Sequence, residues 1–222
     1  MEEQDDREFE KIKHVIDSAR REVNRQNPDL ALKYLLSIKF PVECYPNTLP
    51  WAEFPLVSGE ACLAKRDPAA GGLLRESLER LANLPNGDLG LALRAHKGYG
   101  RFLARSADTW SAASQQYEKA RGLAIKAGLK EESAEVALML IMTDLRRKGS
   151  PLFESFMTLK KAADGHYTYQ EQLAAWYQHL GVVEEAGQGR KAARLENRPN
   201  EHYFRNVLES VRETQNEEEI EK

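Results

Sequence analysis

WSAASQQYEKARGLAIKAG, residues 110–128, sets its small and apolar side chains at helical intervals. Tyr117, Ala120, Leu123, Ala124 and Ala127 fall on one stripe, and Gly128 follows where a helix would stop. The trio Ala113, Tyr117 and Ala120 alternates small with large. Small residues let a second helix come close, and the aromatic ring fills the groove beside it.

The same arrangement recurs along the chain. Gly59, Gly98, Ala137 and Trp176 stand 39 residues apart, as do Leu56, Ala95, Ala134 and Leu173, and Leu63, Phe102, Ile141 and Leu180. A second set follows at intervals of 39, 43 and 39: Ala31, Ala70, Ala113 and Leu152, with Leu35, Leu74, Tyr117 and Phe156 four places on. Two helix types therefore alternate. Gly98 to Tyr117, Ala137 to Phe156 and Trp176 to Leu195 are all 19 residues, whereas Gly59 to Leu74 is 15. A helix pair cannot bury its apolar face alone, so a repeat of this kind implies stacking of successive pairs.

The breaks between segments agree. Asn27-Pro28, Asp67-Pro68 and Ser150-Pro151 each set a capping side chain before a proline that can open a helix. Phe9, Ile12, Val15, Ile16, Ala19 and Val23 form an earlier apolar stripe. Residues 40–50 hold three prolines and read as a loop. Residues 1–6 are acidic and read as a frayed end. Pro199-Asn200 opens a last amphipathic helix over 199–212, with Tyr203, Phe204, Val207, Leu208 and Val211 on one side. It would cap the end of the stack or dock on a second copy. Residues 213–222 read as an acidic disordered tail.

The residues Tyr99-Gly100 and Leu103, Tyr177 with Leu180-Gly181, and Ala113, Tyr117 and Ala120 resemble the tetratricopeptide (TPR) repeat family over about residues 8–198. The period near 39 exceeds the family's usual 34, and the proline at the repeat end is largely missing. The resemblance implies an all-α right-handed solenoid of helix pairs, a domain over 7–198, and a concave face lined by the first helix of each pair. It also implies binding of a partner protein or peptide rather than catalysis.

Chemistry-bearing patterns are sparse. The chain has 222 residues, 41% of them hydrophobic and 30% charged, and a net charge of -3, which supplies no global basic field for nucleic acid or lipid. Cys44 and Cys62 lack metal or redox spacing. His14, His96, His166, His179 and His202 fit no metal-ligand motif, and no nucleophile elbow or phosphate-binding loop occurs. No enzyme activity, cofactor or metal is expected. The acidic start has no apolar core of a signal peptide, so a cytoplasmic location is expected.

The partner-binding candidates are Tyr99, Arg101, Tyr177, His179 and His96, read as lining the groove. Arg146, Arg147, Lys148, Lys160, Lys161, Arg190, Lys191 and Arg194 form a basic stripe, which reads first as a solvated helix face. Two rival functions follow from the same pattern. One is a regulatory sensor for a small ligand or peptide. The other, less favoured, is an accessory protein of a nucleic-acid-handling complex.

Overall fold

The computed structural model describes residues 2–85, 87–188 and 201–220. Among these the structure is helical and contains no strand. The chain divides into two compact units, Met1–Ala127 and Gly128–Lys222.

In the first unit the order is α1 (Glu2–Asn24), α2 (Pro28–Leu36), α3 (Lys39–Glu43), α4 (Leu49–Ala64), α5 (Ala69–Ala82), α6 (Leu89–Leu103), a single 3₁₀ turn (Ala107–Thr109) and α7 (Trp110–Lys126). α1 packs on α2 and α4, α4 on α5, α5 on α6, and α6 on both α7 and α4. Two apolar clusters hold the unit together. Ile12, Ile16, Ala19, Ala31, Leu35, Ile38 and Val42 meet Val57 and Ala61, while Ala52, Leu56 and Cys62 meet Ala70, Leu74, Leu81, Leu91 and Ala95. α4 contributes to both, which is why it is apolar nearly all round.

The glycines and alanines of the repeated pattern are close-packing points. A Cβ on Gly59 would lie 2.7 Å from Leu74 Cγ, and one on Gly98 would lie 3.1 Å from Leu74 Cδ2. Leu74 of α5 is therefore held between α4 and α6. The Tyr117 ring lies against Gly100, where a Cβ would sit 2.6 Å from Cε1. Ala113, Ala120 and Ala124 are fully buried.

Pro55 sits inside α4 and has no N–H for the Trp51 carbonyl one turn earlier. Arg80 of α5 supplies the missing donor: its Nη1 gives a 2.9 Å bond to Trp51 O. Its guanidinium also lies 4.5 Å from the centre of the Trp51 ring.

Two turns inside the first unit share one geometry, which returns in the second unit. Gln26 and Arg66 take φ of 61° and 60°, and Gly149 takes 58°. The next N–H reaches back across the helix end in each: Asn27 to Glu22 O, Asp67 to Cys62 O and Ser150 to Leu145 O, all at 2.9 Å. This is the Schellman closure, and a proline then opens the following helix at each turn.

The second unit contains α8 (Lys130–Arg147), α9 (Leu152–Ala163), α10 (Tyr169–Gln188) and α11 (Glu201–Ile220). α8 packs on α9 and α10, and α11 packs on α9 and α10. Leu138, Phe156, Leu159, Ala163, Ala175, Trp176, Phe204 and Leu208 form its core.

Three local expectations change. Residues 40–50 are not all loop: α3 forms because Val42 is fully buried and extends the inward row of Ala31, Leu35 and Ile38. The N-terminal residues belong to α1 from Glu2 onward. The acidic tail is helical as far as Ile220, so α11 runs well beyond the expected end at 212.

Candidate functional site

Helix α4 carries only two charges, Glu53 and Glu60, seven residues apart and so on one face. The Glu53 side chain is 8% exposed, which demands partners. α6 provides Arg94. Its Nη2 donates to Glu60 Oε2 at 2.7 Å, its Nε to Glu60 Oε1 at 3.3 Å and its Nη1 to Glu53 Oε1 at 3.4 Å. One guanidinium thus spans two helical turns of carboxylates in a forked geometry that lysine could not supply. From the other side, Arg20 Nη2 of α1 donates to Glu53 Oε1 and lies 3.1 Å from Asp17 Oδ1.

The network joins α1, α4 and α6, the first helices of three successive pairs. Burial pushes the Glu53 carboxyl above its ordinary value, and Arg20 and Arg94 only partly offset this. Burial also acts against the Arg94 charge, but Glu60 and Glu53 outweigh it and raise its pKa. At Glu53 desolvation outweighs pairing and at Arg94 pairing outweighs desolvation, so the network ties three helices together through buried charges that each depend on the others.

The five groove candidates separate. His96, Tyr99 and Arg101 all lie on α6. The His96 Nδ1 is 2.7 Å from Gln116 Oε1 of α7, so its ring faces the neighbouring helix. Burial lowers its pKa, helped by Lys119 and opposed by the Gln116 bond. Tyr99 is half-buried and stacks on Phe102, with ring centres 6.5 Å apart. Arg101 is exposed and lies seven residues beyond Arg94, on the same face of α6. Tyr177 of α10 is 53% exposed.

His179 corrects the sequence reading most sharply. It is 1% exposed, and neither ring nitrogen has a hydrogen-bond partner. Its ring centre lies 5.5 Å from Trp176, 6.0 Å from Tyr203 and 5.0 Å from Phe204. It is a core residue between α10 and α11 and cannot line an open face. Burial lowers its pKa.

The basic stripe is exposed where it is described. Arg146 and Arg147 end α8, Lys148 follows, and Lys160 and Lys161 end α9. Cations at helix C-termini meet the negative end of the backbone dipole, which accounts for the placement without a ligand. Arg147 Nη2 pairs with Asp144 Oδ1 at 3.3 Å, and Arg146 covers the Phe153 ring at 5.1 Å. Arg190, Lys191 and Arg194 lie outside the described residues.

Sequence reading missed the Arg20–Glu53–Arg94–Glu60 network. Its signal was present in LPWAEFPLVSGEACLA: two carboxylates at one phase of a helix with no polar face. Among the described residues no group of three or more His, Cys, Asp or Glu side chains could hold a metal, and no helix is long and apolar enough to cross a membrane. Compared with family models, curated proteins and solved structures, the chain matches none.

Proposed function

We propose that this chain is a non-catalytic, TPR-like scaffold that holds a partner protein or peptide on the face formed by the first helices of its pairs. The observation that carries the reading is the charge network across α1, α4 and α6. It fixes three helices in register and leaves one side of α6 with Arg94 in the network and exposed Arg101 beyond it. A surface rigid before binding loses little freedom when a partner docks. The succession α1–α2, α4–α5 and α6–α7, each pair packed on the next, supports stacked repeats of the kind this family uses.

The test begins with covalent cross-linking of the tagged protein in its host and identification of the partner by mass spectrometry. Binding of that purified partner is then measured to wild type and Arg101→Glu. Arg101→Glu should weaken binding at least about tenfold, as loss of a surface charge contact does, with the helical circular dichroism of the variant matching wild type. Cross-links that avoid α1, α4 and α6, or binding indifferent to Arg101, would refute the reading.

A further inference from the structure

The α2–α3 segment has two faces. Ala31, Leu35, Ile38 and Val42 point inward, each 3% exposed or less. The chain keeps turning between the two helices: Ser37 N–H donates to Tyr34 O and Ile38 N–H to Leu35 O, both at 3.1 Å, and Val42 N–H donates to Ile38 O at 2.9 Å. The outward row is therefore continuous as well. It consists of Lys33, Leu36, Phe40 and Glu43, spaced three, four and three residues apart and all exposed. Leu36 is 70% exposed and Phe40 83%. Large apolar side chains this open, side by side on a helical ridge, mark a contact surface.

The order of chemistry along this row reads positive, apolar, apolar, negative, and the spacing is the same in both directions. Laid antiparallel on its own copy, the row sets Leu36 against Phe40 twice and Lys33 against Glu43 twice. Glu43 pairs with Arg80 at 2.7 Å, which it shares with Glu76, and accepts from Trp51 Nε1 at 3.1 Å, yet its side chain is 48% exposed, so a further cation can reach it. A two-fold interface has to be self-complementary in this way. We infer that a second copy of this chain docks here, with residues 33–43 of the two copies running antiparallel. A contact of one ridge per copy falls at the small end of specific interfaces, below about 1,200 Å² in total, so the dimer is weak and forms with rising concentration.

The antiparallel pairing gives a specific test at two exposed positions. In Phe40→Glu each Leu36 faces a carboxylate, and in Leu36→Lys each Phe40 faces an ammonium group. In a mixture of the two, Leu36 of one copy meets Phe40 of the other, and the new glutamate meets the new lysine. Sedimentation equilibrium should show a wild-type dimer at high concentration, each variant weakened by about 30-fold or more as a charge replaces an apolar anchor, and a dimer restored in the one-to-one mixture. Circular dichroism and melting temperature of each variant, matching wild type, exclude misfolding. A wild-type chain monomeric at every concentration overturns the inference. So does a dimer that survives Phe40→Glu, which would place the interface elsewhere, such as the last helix. Monomeric variants whose mixture stays monomeric overturn the antiparallel pairing. None of these readouts depends on a partner bound at α6, so the scaffold reading and this one can fail separately.

Discussion

Leu74 sits between Gly59 and Gly98, and Tyr117 against Gly100, so single atoms decide whether neighbouring helices can meet. Ala120 belongs to the same class, with no exposed surface. Ala120→Trp should destabilise the protein by about 1–3 kcal/mol or more through overpacking, read as a lower urea midpoint at unchanged slope. His179 acts through solvation instead. Its native pKa is lowered by burial, so the unfolded chain takes up its proton first as pH falls. Stability is then complete above the ordinary histidine value of about 6.5 and declines below it, by at most about 1.4 kcal/mol per pH unit for one proton. His179→Phe should flatten that decline between neutral and acid pH in urea titrations, while the share due to His96 remains. A steep decline unchanged in the variant would disprove the assignment. The small residues were legible in the sequence because their spacing is periodic. The burial of His179 was not, because it depends on Tyr203 and Phe204 arriving from another helix.

At the scale of elements, the closures after α1 and α4 place Gln26 and Arg66 in the left-handed region, where a Cβ is unfavourable. Gly149 fills the equivalent place after α8 without that penalty. Arg66→Gly should therefore stabilise the first unit by roughly 0.5–1 kcal/mol, once the greater freedom of glycine in the unfolded chain is subtracted. Thermal unfolding checks this, and a lower melting temperature would contradict it. Helix identity was readable from periodicity and from the prolines after these closures. α3 was not, since Phe40 to Pro50 holds too many prolines to show a pattern and its formation depends on burying Val42. Only the carboxylate half of the charge network was legible, from the shared phase of Glu53 and Glu60: Arg94 lies 41 residues from Glu53 and Arg20 lies 33 from it, distances that no local rule connects.

For the molecule as a whole, the first unit has both of its apolar clusters built from α1 to α6, and α7 packs on α6. Residues 1–127 expressed alone should fold cooperatively, with helical circular dichroism and a single thermal transition. A fragment that melts without a transition would show that the unit is not autonomous. Arg80 has a further consequence. Because Pro55 leaves Trp51 O without a donor from its own helix, α4 cannot complete its backbone bonding by zipping up alone. Its first turns are completed by a side chain from the helix that follows, so the folded pair, rather than α4 alone, is the unit whose backbone bonding is satisfied.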